Sequence, residues 1–200
     1  MAGTPTNLRA TAIAQNPGNL WGKLAIPGAA ARITIFSDNT PDATANPNAF
    51  HYGGTKAGSK LSIKSSLIKF SIDEQRAPIV SNIDSVQMSI AAELVAATDM
   101  DVITLLLPGV ATYATTASTF KENRIGITTI TYQSVALIFS LIEDTTKIGV
   151  FNIYSALNDP GVEFTVARKE LGFMPVSFMG FDIPSRVATD TQGNYWKTIA

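Results

Sequence analysis

The alternation of apolar and polar residues from Val86 to Leu94 constrains the fold more than any other feature. The apolar positions are spaced by two: Val86, Met88, Ile90, Ala92 and Leu94. Gln87, Ser89 and Glu93 fall on the opposite side, so the period is that of a strand with one buried face. The pattern therefore predicts a half-buried strand, with its apolar side chains directed into a core.

A short helix is predicted directly after this strand, where the period of two ends. Thr98 can cap a helix N-terminus while Asp101, three residues on, returns a hydrogen bond, which is the pattern of a capping box. Pro108 and Gly109 predict the end of the helix. We expect one short flanking helix near residues 98–107, with Leu106 among its buried side chains.

Further runs rich in β-branched and aromatic residues predict short strands along the rest of the chain. The apolar phase changes around Ser65-Ser66, which predicts a bulge or a turn. The run from Val135 to Ile142 is apolar on both faces, so we expect it to be buried on both. The predicted strands are 31–36, 61–73, 124–132, 135–142, 147–154, 163–169 and 176–183. This spacing favours a mainly β fold, a β-sandwich or split barrel of antiparallel strands.

Two segments predict contacts with other subunits. Residues 1–30 form an N-terminal arm ahead of a single β-rich domain, 31–200, and residues 37–60 form a long polar loop. Each contains apolar side chains suited to anchoring, and we expect these residues at inter-subunit contacts: Leu20, Trp21, Phe50, His51 and Tyr52. The alternative is that the arm and the loop pack on their own domain.

Composition restricts the class of function. Charged residues are 16% of the chain and the net charge is −1, which argues against a dedicated nucleic-acid binder and favours association. The chain contains no cysteine, so disulfides and thiolate metal sites are excluded. No run reaches the ~18 apolar residues of a membrane-spanning helix, and the N-terminus does not resemble a secretory signal.

Residues suited to catalysis are sparse. His51 is the one histidine, and it has no recognisable partner for a catalytic triad or a metal site. The glycines at 53, 54 and 58 lack the spacing of a phosphate-binding loop. We therefore expect no enzymatic activity, no cofactor and no bound metal.

Three segments together carry a resemblance to a known family. They are Lys64–Pro78 (KSSLIKFSIDEQRAP), Asp84–Pro108 and Pro175–Asp182 (PVSFMGFD). They combine a turn rich in acidic residues and proline, a central strand leading into one helix, and a closing strand. In this pattern the chain resembles the major tail tube protein of long-tailed bacteriophages.

The resemblance implies a structural virion protein without catalysis. Copies would form hexameric rings that stack into a tail tube, the conduit for genome ejection, assembled in the host cytoplasm. Its implied partners are other tail proteins (tape measure, tail terminator and baseplate) and passing double-stranded DNA that is not specifically bound, with no membrane. Two alternatives remain open: a tail completion or adaptor ring protein, and a stand-alone β-sandwich binding module.

Overall fold

The structure is a computed structural model and describes thirteen stretches of the chain. They are residues 18–28, 31–35, 40–53, 55–70, 80–95, 100–107, 111–117, 120–126, 129–141, 147–159, 161–163, 173–187 and 190–197. The described residues form ten strands and one helix: β1 (Asn19–Gly22), β2 (Phe50–His51), β3 (Thr55–Phe70), β4 (Val80–Leu94), α1 (Met100–Leu106), β5 (Ala111–Ala117), β6 (Phe120–Ile125), β7 (Gln133–Ser140), β8 (Ile148–Asn158), β9 (Met174–Gly180) and β10 (Gly193–Lys197).

Eight of these strands form one antiparallel sheet in the order β2-β1-β7-β8-β9-β4-β3, with β10 also paired to β8. β5 and β6 pair separately as a hairpin. The sheet curls strongly, because the ring of Tyr52, next to β2, lies 5.3 Å from that of Phe178 in β9, with three strands between β2 and β9. The predicted mainly β, antiparallel fold with a single short helix is confirmed.

The core lies on both sides of β7. Val135 and Leu137 face the main cluster inside the curled sheet, while Ala136 and Ile138 face a second cluster on its outer side. Seven of the eight residues of β7 are buried. The prediction that this apolar run is buried on both faces is confirmed. A strand that is covered on both sides needs no polar face.

Helix α1 is held against the sheet by apolar and polar contacts. Val102 and Leu106 are buried in the main cluster. The last carbonyls of the helix accept side-chain hydrogen bonds, Leu105 from Gln133 Nε2 at 3.0 Å and Leu106 from Asn158 Nδ2 at 3.3 Å. The predicted burial of Leu106 is confirmed, while Thr98, Pro108 and Gly109 lie outside the described residues.

Several predicted strand boundaries are wrong. Residues 31–34 lie outside any strand, and Ile35 forms only an isolated bridge with Pro41. Residues 129–132 precede β7 without pairing, and Ile130 and Tyr132 are exposed. These predictions rested on β-propensity alone, but a segment becomes a strand only when another strand lies beside it to form backbone hydrogen bonds. Of the predicted strand 163–169, Glu163 is not in a strand and the rest lies outside the described residues.

The predicted arm and loop are also partly strands of the main sheet. Residues 19–22 form β1 between β2 and β7. Leu20 is buried in the main cluster inside the curled sheet, and Leu24 is buried in the second cluster on its outer side. The predicted loop ends early, because β2 begins at Phe50 and β3 at Thr55. Gly58, at φ +88°, lies in an irregular stretch of β3 and lets the strand run through a glycine-rich sequence.

Candidate interface at the β3–β4 hairpin

The five residues predicted to contact other subunits contact each other and the core of their own chain. Leu20 and Tyr52 are completely buried in the core of their own chain, and their predicted role at an interface stays a prediction. Phe50 packs half-buried against the same core. Trp21 and His51 are cross-strand neighbours with ring centroids 4.7 Å apart. These residues close one end of the curled sheet.

Burial changes the acid–base behaviour of two of these side chains. Enclosure in the core raises the pKa of Tyr52 and keeps the phenol neutral. Desolvation lowers the pKa of His51, whose ring packs on Trp21 although the residue as a whole is exposed. Among the described residues, no group of three or more His, Asp or Glu side chains is placed to hold a metal ion.

The longest exposed feature is the hairpin of β3 and β4, with 16 and 15 residues. β9 pairs with β4 only from Ser89 to Leu94. Residues 80–88 of β4 pair with β3 alone among the described strands, so this part of the hairpin extends beyond the sheet. At ~3.3 Å per residue, the extension is ~30 Å long.

Gln192 fixes the hairpin at the point where it leaves the sheet. Its Oε1 accepts a hydrogen bond from Met88 N at 3.2 Å, and its Nε2 donates to Val86 O. A single amide side chain therefore partners the β4 backbone groups that lie just past the end of β9. This contact sets the direction in which the hairpin departs.

Near the sheet, one face of the hairpin packs on the core. Further out, the side chains on the same face are exposed. Opposite residues in an antiparallel pair share a face, so Ile63 lies beside the buried Met88, and Leu67 beside Ile83 further out. We call four exposed side chains on this side the hairpin apolar face. Their exposed fractions are 59% for Ile63, 50% for Leu67, 65% for Ile83 and 42% for Val86.

A β-bulge keeps Ile83 on this face, which becomes polar further out, where Lys69 lies opposite Ser81. The pairing steps from Ser66↔Ser85 to Leu67↔Ile83, so Asp84 is the extra residue on β4. Without that shift, Ile83 would turn to the opposite side of the ribbon. The register shift lies next to the predicted Ser65-Ser66, but the extra residue is on β4, and β3 keeps its alternation, so that Ile68 lies on the opposite face.

The hairpin carries more positive than negative charge. Lys60, Lys64 and Lys69 of β3 are exposed, against the exposed Asp84 and Glu93 of β4. β3 also ends the sheet order among the described strands, where one row of its backbone groups has no paired neighbour. Lysines on such an edge oppose unregulated strand pairing while leaving it available to a matching partner.

No protein-family model matches the chain, and no curated protein matches it significantly. No helix among the described residues is long and apolar enough to cross a membrane. The hairpin apolar face is thus the feature from which a function is best argued.

Proposed function

We propose that the protein is a structural subunit that binds further copies of itself through the hairpin apolar face. The copies form stacked rings that build a bacteriophage tail tube, the conduit for genome ejection. The observation that carries this proposal is the continuation of the core-type apolar face past the end of β9, over the ~13 Å from Ile63 to Leu67.

The apolar face favours association energetically. Side chains that are buried at the base of the hairpin become about half exposed along it. Covering the exposed half of an aliphatic side chain gives roughly 1 kcal/mol, so four such side chains supply several kcal/mol per contact. A net charge of −1 offers little repulsion between copies.

The shape of the hairpin favours a head-to-tail contact. An element that leaves its own body binds a different surface on the next copy, and repetition of such a contact closes into a ring or extends into a filament. The open edge of β3 supports this arrangement, because its backbone groups can pair with an edge strand of a neighbour. Six copies per ring is the stoichiometry that the sequence resemblance implies.

The remaining roles follow from the tube. Its near-neutral subunits would let double-stranded DNA pass without being held by cations. Its ends would bind tape measure, tail terminator and baseplate proteins, and the finished tube would belong to the virion after assembly in the host cytoplasm. The role requires neither catalysis nor a cofactor.

Negative-stain electron microscopy of the purified chain at high concentration tests the proposal. Tubes with a regular axial repeat are the expected result. Isolated rings that never stack would instead identify a tail completion or adaptor protein. A chain that stays monomeric would contradict self-assembly and favour a stand-alone β-sandwich module whose hairpin binds another protein.

A further inference from the structure

A row of residues crosses four strands on the outer side of the main sheet. Trp21 of β1 lies opposite Ala136 of β7, which lies opposite Asn152 of β8, which lies opposite Asn194 of β10. Direct antiparallel partners point to the same face, so these four side chains share one side. Trp196, two residues beyond Asn194 on β10, lies on that side as well.

Five buried polar atoms on this face lack a hydrogen-bond partner in the part of the chain that the structure describes. They are Trp21 Nε1, Trp196 Nε1, Asn152 Nδ2, Asn152 Oδ1 and Asn194 Oδ1. Asn152 is completely buried, and both polar atoms of its amide are among the five. Buried polar groups in folded proteins almost always have partners, so five such atoms together require an explanation.

Asn158, on the same strand, shows how this protein treats a buried amide that it satisfies itself. Its Nδ2 donates to the carbonyls of Leu106 and Gly161, and its Oδ1 accepts from Ser177 N at 2.9 Å. Asn158 thus has protein partners for both atoms of its amide, whereas Asn152 has none among the described residues.

The row lies beneath a covering segment and contains a small side chain at its centre. Leu24 and Ile33 pack over this face against Ala136 and Ile138. Strands are spaced ~4.8 Å apart, so Trp21 and Asn152 are separated by ~10 Å with only the Ala136 methyl between them. The row thus places its unpartnered polar atoms beneath this cover, on either side of a small side chain.

We propose that this row is an internal water-binding site between the sheet and its cover. The indole N–H groups and Asn152 Nδ2 donate to bound water, which in turn donates to the Oδ1 atoms of Asn152 and Asn194. Donors and acceptors occur together and no charged side chain is among them, which suits a neutral ligand able both to donate and to accept. The site is independent of self-assembly.

Paired substitutions at Asn152 test this site. Leu matches Asn in branching and in the number of side-chain heavy atoms and would fill the space, displacing water and leaving the indoles and Asn194 without partners. Ala would leave room for water to remain. A hydrated site therefore predicts that Asn152→Ala melts at a higher temperature than Asn152→Leu, with Asn152→Leu ~5 °C or more below wild type.

A site without water predicts the reverse order. Asn152→Leu would then replace an unsatisfied amide with an apolar group of the same branching and melt at or above wild type, while Asn152→Ala would open a cavity and melt lower. That order would overturn the proposal. Asn158→Leu is the matched control, because it must lose direct protein hydrogen bonds and melt below wild type in either case.

Discussion

At the scale of single residues, Tyr154 connects two loops to the sheet. Its hydroxyl donates to Asp190 Oδ1 at 2.8 Å, and the guanidinium of Arg186 lies 4.2 Å from its ring centroid. Arg186 also forms an ion pair with Asp190 and donates to Pro27 O at 2.8 Å. Burial, followed by the hydrogen bond to Asp190, raises the pKa of Tyr154 to about 12.

This pKa predicts a loss of stability in alkali. The phenol is neutral in both states below pH 10; between about pH 10 and 12 the unfolded chain loses the proton while the folded chain keeps it, so the free energy of unfolding falls. Tyr154→Phe lacks this titration and should show a shallower fall. Urea denaturation of both proteins at several pH values measures the slopes, and parallel curves would contradict the assignment.

Gly149 provides a steric prediction at the same scale. It lies opposite Phe139 across β7 and β8, and a Cβ at this position would overlap the phenyl ring. Gly149→Ala should lower the free energy of unfolding by ~1–3 kcal/mol because the ring cannot move in a packed core. Gly126→Ala is the control, since nothing lies within 4 Å of its added methyl. Equal urea midpoints for the two variants would refute the contact.

At the scale of secondary structure elements, the period of apolar residues correctly predicted which side of a strand faces the core, wherever that depends on the strand's own sequence. Met88, Ile90, Ala92 and Leu94 all face the core. The doubly buried β7 was likewise visible, because it depends on the local run of apolar residues, whereas the bulge of the β3–β4 hairpin lies on β4 and not in the strand where the phase change predicted it.

What the sequence did not reveal depends on partners distant in the chain. Val86 follows the same alternation as Met88, yet it is exposed because β9 ends before reaching it. Tyr52 lies in a polar, glycine-rich stretch and resembles an exposed anchor, whereas the curl of the sheet places it on Phe178. The sequence of a strand does not show how far a neighbouring strand extends along it. The candidate interface could therefore not be located from the sequence.

The docking of α1 supplies a prediction for an element. Leu106 is completely buried, so Leu106→Asp places a carboxylate in the core and should prevent cooperative folding at ordinary temperature. Leu106→Met keeps the volume and should cost less than ~1.5 kcal/mol. Circular dichroism melting compares the two, and a wild-type transition for Leu106→Asp would show that the helix is not docked as described.

At the scale of the whole molecule, a folded body and an uncovered extension coexist in one chain. The segments 19–22 and 50–52 pack into the core of the folded body. The hairpin apolar face stays exposed, and it is the surface that we propose binds further copies. Its four side chains contribute little to the core of their own subunit. A polar substitution there should therefore change assembly while leaving the fold intact.

Sedimentation velocity of wild type, Ile83→Asp and Val187→Asp tests the central claim most directly. Ile83 and Val187 are 65% and 57% exposed, but only Ile83 belongs to the hairpin apolar face. We predict that wild type and Val187→Asp sediment as large assemblies, whereas Ile83→Asp sediments as a folded monomer with an unchanged melting temperature. Assemblies of wild-type size from Ile83→Asp, or a wild-type chain that stays monomeric at high concentration, would contradict the account.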